Sequence, residues 1–411
     1  MLVSGLIVAG VWATDEPTGE TVSISTTLSA DEIIRQALKD SLYYRFDHWF
    51  DLFKQNIAEL EKQPESRANR LAKIRYYFYY AGLVGEICHT LAFTSKYKIE
   101  TIENDFIQYS LKAKELAVEF LDDENLTDDQ RGEGNLYLGA IEGYIGIFEY
   151  GRGNFIQALI NGFRADNHLE KALALAPHHV DAHVGLGIYR YGNSRLGGFG
   201  NFLMQGGRDL REVGLNHLER AIQNNAPSKP LALKSLIWFY ISEQINPANA
   251  DLPADHPLSN GVIRQKTLDL MSSMEKEYFS DPPYDDFQGN KQLILMQALQ
   301  NVIDGDFQNA KTRFEKVIEI CEHLIRRGFK INPQLTDSVK AGIKFSKIML
   351  LSPAEESKEE IRSACKKVDD QLDFLNSGGT LVQYDSKKIR GELHTLFSNA
   401  LTDLSKKMKC S

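Results

Sequence analysis

The stretch ADNHLEKALALAP, from Ala165 to Pro177, decides the fold class of this 411-residue chain. It sets a small residue (Ala165) four positions before a large apolar one (Leu169), with an aliphatic residue (Ala172) three further on. The same spacing returns in GLNHLERA, with Gly214, Leu218 and Ala221, and in AKTRFEKV, with Ala310, Phe314 and Val317. On a helix such positions share one face, where the small residue lets two axes approach and the larger ones fill the groove between neighbours. The pattern fits the second helix of a tetratricopeptide-type repeat, whose units pack each on the next. The expected architecture is all-α: a right-handed α-solenoid of stacked helix hairpins.

The sequence around this stretch agrees. Ile145-Gly146 and Leu186-Gly187 read as the Leu-Gly pair of a first helix, each with a tyrosine four residues after the glycine (Tyr150, Tyr191). Gly153-Asn154-Phe155 reads as the turn into a second helix and Pro177 as its end. Upstream, helices are expected over 33–61, 67–93, 99–121 and 128–150, the last capped by Thr127. Downstream they are expected over 228–244, 258–279, 287–303, 307–327, 335–351, 353–376 and 386–407, with Ser352-Pro353 as a well-formed start and Gly378-Gly379 as the last break. The aromatic run from Tyr76 to Tyr80 suits a helix buried on most of its circumference. One departure from a short repeat is the length of the 155–176 helix. Another is the glycine-rich insertion at 192–207, where a turn of a few residues would suffice.

At −9 the net charge argues against generic nucleic-acid binding, which needs a basic face. The basic residues near the C-terminus, among them Lys387, Lys388 and Lys406, read as a solvated helix face. Leu2 to Ala13 is apolar and ends in Val11-Trp12-Ala13, a small-x-small cleavage pattern, though no basic segment precedes it. The expectation is a signal peptide over 1–13, a linker over 14–28 and one helical-repeat domain over 29–411. The protein would be periplasmic or otherwise exported, without a transmembrane span in the mature chain. The four cysteines have no CxxC spacing, and Cys88 and Cys321 read as core residues; no disulfide framework is implied, and whether any of the four pair is open.

The string from His179 to Ala221 resembles a bacterial branch of tetratricopeptide-like proteins related to the eukaryotic tetratricopeptide repeat protein 39 and the inclusion-body clearance protein. The residues that carry the likeness are GLGIYRY (Gly185 to Tyr191), the glycine-rich segment, GLNHLERA, and the preceding LEKALALAP; it extends from about Gly139 to Gln244. The resemblance implies an all-helical superhelix and protein association, and no catalytic residues. Relatives place an Asp-Arg pair directly ahead of the Gly-Leu, whereas this chain reads Gly207-Arg208-Asp209-Leu210-Arg211.

No motif for catalysis is present: no GxSxG, no Cys/His pairing and no paired carboxylates in a recognisable context. His178, His179 and His183 with Asp181 form the one histidine-rich spot. His179 and His183 would share a helix face, but two ligands make no zinc site, so a plain helix start is preferred and no metal is expected. The glycine-rich segment lacks the GK[ST] ending of a phosphate loop. No cofactor is expected. Function is expected from a non-enzymatic scaffold that binds a protein or peptide partner in the cell envelope, on a concave face. The expected ligand-binding residues are Tyr150, Tyr189, Tyr191, Arg195 and Arg208, with Arg195 or Arg208 offered to an acidic group. Tyr189 and Tyr191 cannot share a face, so one of them should be core. A small-molecule or lipid carrier, its pocket closed by the glycine-rich loop, is the alternative; an enzyme on a helical toroid is a weaker third.

Overall fold

A computed structural model describes residues 29–92, 100–197, 206–351, 358–377 and 387–410. The expected signal peptide and linker, residues 198–205 of the insertion, the Ser352-Pro353 start and the Gly378-Gly379 break lie outside the described residues, as does the Cys88 side chain.

Among the described residues there are fifteen α-helices and no strand. They are α1 (Ala30–Leu42), α2 (Asp47–Lys62), α3 (Arg67–Ala92), α4 (Glu100–Leu121), α5 (Asp128–Gly151), α6 (Phe155–Leu175), α7 (Ala182–Leu196) and α8 (Arg211–Gln223). Then come α9 (Lys229–Gln244), α10 (Asn260–Met274), α11 (Lys291–Ile303), α12 (Phe307–Arg326), α13 (Pro333–Met349), α14 (Lys358–Asn376) and α15 (Lys387–Met408). From α2 to α10, and again from α11 to α15, each helix packs on its successor.

The repeated spacing does what the sequence implies. Its nine residues are all buried. Leu169 of α6 lies against Gly139 of α5 on one side and Gly185 of α7 on the other. Leu218 of α8 lies against Gly187 of α7, and Phe314 of α12 covers Gly342 of α13. Gly162 meets Tyr189 while Gly185 meets Leu169, so α6 and α7 run antiparallel as a hairpin should. Local signals also hold. Ser29 and Thr127 each close a capping box, with Glu32 and Gln130 respectively, which pairs helix-end N–H groups that would otherwise lack acceptors.

The expected single helix over 33–61 is instead two. Between α1 and α2 the chain turns at Tyr44, whose φ of 62° is left-handed and unfavourable for tyrosine. Tertiary contacts hold the turn. Asn290 Nδ2 donates to the Leu42 carbonyl (2.9 Å), the Lys291 N–H donates to the Tyr44 hydroxyl (2.7 Å), and the Tyr43 ring sits among Phe279, Tyr284 and Phe287. Asn290 also caps α11, accepting from Leu293 N–H at 3.0 Å, which is why that helix begins at 291 rather than 287.

These contacts have a larger consequence. In a plain solenoid each unit touches only its neighbours. Here α1 packs on α3 and α9, and the α1–α2 turn reaches residues more than 230 positions away. At the other end, α15 returns to the middle, where Glu392 and Lys388 bond to Arg195 of α7. Helices α9 and α11 are consequently buried around most of their circumference, polar positions included: Lys234, Glu243, Lys291 and Gln300 all lie inside. Lys234 has its counterion in Glu86 of α3, also buried. A further covalent link ties the C-terminal pair together, Cys365 of α14 to Cys410 beyond α15, while Cys321 is free and buried.

Candidate functional site

The five residues expected to bind a ligand lie around the α5–α8 packing, but only some face outward. Tyr150 ends α5 half-buried, its ring edge-on to Phe155 at 5.5 Å between centroids. Tyr189 is half-buried across α6, over Gly162, where an added Cβ would come within 2.5 Å of its ring. Its hydroxyl is enclosed near Asn193, and burial together with the Asp166 carboxylate pushes the phenol pKa up. Arg208 is exposed at the start of the segment leading into α8.

Two of the five expectations are corrected. Tyr191, 1% exposed, is core: it stacks on Phe239 at 4.0 Å and donates to the Phe239 carbonyl and to Glu243 Oε1. Arg195, also 1% exposed, offers nothing to an outside acid. Its guanidinium donates to Ser242 Oγ (3.0 Å), the Ser242 carbonyl (2.9 Å) and Glu392 (3.0 Å), and lies 3.2 Å from Glu243. The reason is charge balance. Glu243 is fully buried and sits between Arg195 and Arg211 Nη1 at 2.7 Å, with Asn249 Nδ2 donating at 2.7 Å. A buried carboxylate needs such partners to offset its lost hydration. The sequence shows Arg195 in a glycine-rich segment and gives no hint that Glu243, 48 positions on, is its neighbour.

The histidines also part company. His183 Nδ1 is 2.7 Å from Nδ1 of His217 on α8, and His217 Nε2 is 3.2 Å from Arg190, itself paired to Asp166 at 3.0 Å. Burial, then the charges of Arg190, His183 and Arg220, holds the His217 pKa down at about 4. His183 therefore belongs to an α7–α8 contact, not to a shared face with His179.

What the expectation missed is an apolar ridge. Phe155, Ile156, Ile160 and Phe163 of α6 are exposed by 59, 77, 41 and 52%, and Ile147 of α5 by 49%. The spacing of Ile156, Ile160 and Phe163 (i, i+4, i+7) makes a stripe along one face. Helix α6 is thus apolar on two faces, one turned to α5 and α7 through Ala165, Leu169 and Ala172, the other to solvent. Tyr150 borders this ridge through Phe155, and Arg164, next to Phe163 on α6, is exposed. The signal was in the sequence: four large apolar residues within nine positions beyond those the repeat spacing uses. A separate open groove of about 450 Å³, lined by Tyr77, Gln108, Tyr109, Lys112 and Glu115, lies on α3 and α4, not on the helices that flank the glycine-rich segment.

Compared with family models, with curated proteins and with solved structures, the chain finds no match.

Proposed function

We propose that the chain is a non-enzymatic helical-repeat scaffold, a right-handed α-solenoid of the tetratricopeptide-like kind, that holds a protein partner in the cell envelope. The exposed apolar ridge on α6 carries this reading. Large side chains exposed together on one helix face, rimmed by polar residues, mark interaction surfaces. The occupant is an amphipathic helix of the partner, which would lay its own apolar face along the Ile156–Phe163 stripe and set an acidic residue against Arg164. Tyr150 borders this surface through Phe155, while Tyr191 and Arg195 hold the helices beneath it. The Cys365–Cys410 disulfide supports an oxidising compartment, in line with the apolar start and its Val11-Trp12-Ala13 site. No helix of the described residues is long and apolar enough to cross a membrane.

The test joins capture with a surface variant. A stoichiometric protein recovered with the chain from its native envelope is identified, purified and titrated against wild type and against Ile156→Ser/Phe163→Ser. Both positions are exposed, so the variant should unfold within about 0.5 kcal/mol of wild type while binding falls at least tenfold. Equal binding by the variant removes the ridge from the reading. A copurifying lipid or metabolite in place of a protein favours a carrier. Mass spectrometry of the native protein should find an N-terminus near Thr14; an intact Met1 removes the export part.

A further inference from the structure

We infer that Asp129, His178 and His179 form a binding site for one divalent transition-metal ion at the seam between the start of α5 and the α6–α7 turn. The three side chains come from two segments that pack together at Gly132, where an added Cβ would lie 2.7 Å from Ala176 Cβ and 3.4 Å from His179 Cδ2. Their ligand atoms lie within 4.8 Å of one another. His178 Nε2 is 2.9 Å from Asp129 Oδ1 and His179 Nε2 is 3.7 Å from the same oxygen. Ligands at about 2.0–2.2 Å from a tetrahedral ion stand about 3.4 Å apart, so these separations bracket the edges of a coordination tetrahedron.

A plain hydrogen-bonded cluster accounts for half of this arrangement. His178 is close enough to Asp129 to donate to it, but 3.7 Å is too long for His179, whose Nε2 is buried without a hydrogen-bond partner. A shared cation would satisfy both rings and the carboxylate at once. The frame is rigid. The His179 N–H donates to the Ala176 carbonyl (3.0 Å), the Val180 N–H to the His178 carbonyl (2.8 Å) and the Ala182 N–H to the His179 carbonyl (3.0 Å). Across the seam the Thr127–Gln130 capping box fixes the first turn of α5. The partial positive charge of that helix start opposes a cation, but Asp128 and Asp129 supply two formal negative charges against about half of one. Asp129 and His178 are mostly exposed, which leaves a route for the ion and open positions for water.

Two imidazoles and one carboxylate suit Zn²⁺, Co²⁺, Ni²⁺ or Cu²⁺ rather than Mg²⁺ or Ca²⁺, which take oxygen ligands. The site uses neither Asp181 nor His183, and it is independent of the proposed partner surface.

The experiment titrates chelator-treated full-length protein with ZnCl₂ by calorimetry, alongside Asp129→Asn, His178→Ala and, as control, His394→Ala on α15. Wild type and control should bind one Zn²⁺ with equal affinity, and each ligand variant should weaken binding about tenfold or more, at least as much as losing an outer-shell partner costs. Unchanged far-UV circular dichroism shows that the variants fold, since both changed residues are exposed. Proton spectra of the histidine rings should report Zn²⁺ at His178 and His179. Absence of saturable one-to-one binding overturns the inference, and so does binding that Asp129→Asn and His178→Ala leave intact.

Discussion

Replacing Gly214 by alanine isolates the close helix approach on which the repeated spacing depends. An alanine Cβ there would stand 2.5 Å from the Tyr191 backbone nitrogen, 2.8 Å from the Gly187 carbonyl oxygen and 2.8 Å from Tyr191 Cβ. A carbon sits comfortably at about 3.5–4.0 Å from such neighbours. Two of the three obstacles are backbone atoms of α7, so no rotamer change relieves them and α7 and α8 must move apart by about 1 Å. A gap of that size forfeits about a quarter to a half of each lost contact, and overpacking of this kind costs about 1–3 kcal/mol, with backbone obstacles toward the upper end. Against it stands the helix preference of alanine over glycine, about 1 kcal/mol. The net expectation is a loss of about 2 kcal/mol, read from equilibrium urea denaturation followed by far-UV circular dichroism.

Gly391→Ala supplies the opposite sign in the same chain. Gly391 is inside α15, exposed, with nothing within 4 Å of its added Cβ, so only the helix preference acts. That variant should gain about 0.5–1 kcal/mol. If Gly214→Ala is as stable as wild type, or more so, while Gly391→Ala gains as expected, the close-approach reasoning is wrong.

Glu243→Ala leaves the Arg195 and Arg211 guanidiniums buried without their shared carboxylate, and should cost about 3–5 kcal/mol in the same urea experiment. His217 is held near pKa 4 against an ordinary 6.5, so below pH 6.5 the unfolded chain binds a proton that the folded one does not. Its contribution to stability is therefore full above about pH 6.5 and is lost as pH falls toward 4. His217→Gln should flatten the denaturation midpoint across that window, by comparison with wild type. Reducing the Cys365–Cys410 disulfide opens a loop of 45 residues and should lower the stability of the C-terminal pair by about 4 kcal/mol, seen as faster hydrogen exchange in α15.

How much could be read in advance follows from the range of the forces involved. The spacing at Ala165, Gly214 and Ala310 and the capping signal at Thr127 are local or nearest-neighbour features, and the structure bears them out. The break at Tyr44 is not local. LYYRFDHWF has no glycine or proline, and what bends it is a set of hydrogen-bond donors and rings supplied by residues 279–291. Arg195 failed for the same reason. A glycine-rich neighbourhood suggests exposure, while its actual surroundings are Glu243 and Glu392, the latter 197 positions away. The tyrosine pair was half legible: period 3.6 requires Tyr189 and Tyr191 to diverge, but which one is core depends on Phe239 arriving beside it. Of the five residues expected to bind, Tyr191 and Arg195 are buried, because their partners Phe239, Glu243 and Glu392 come from distant parts of the chain.

The placing of α1 and α15 against the middle of the chain bears on where a partner can be held. A solenoid ordinarily recognises its ligand along the inner surface of the stack, because that surface is left open by neighbour-only packing. In this chain α1 takes a place against α3 and α9, and α15 reaches Arg195, so faces of the middle helices that neighbour-only packing would leave open are covered by the chain itself. That closure explains why Lys234 and Glu243 are buried and why each must find its partner internally. Helix α6, by contrast, is apolar twice over. One of its faces is spent on α5 and α7, and no returning segment among the described residues covers the other. Phe155, Ile156, Ile160 and Phe163 contribute little to the fold while they remain in water, so a sequence that needed only the stack could carry polar residues there. The ridge is thus a feature that the packing does not require, which is the property expected of residues kept for contact with another molecule.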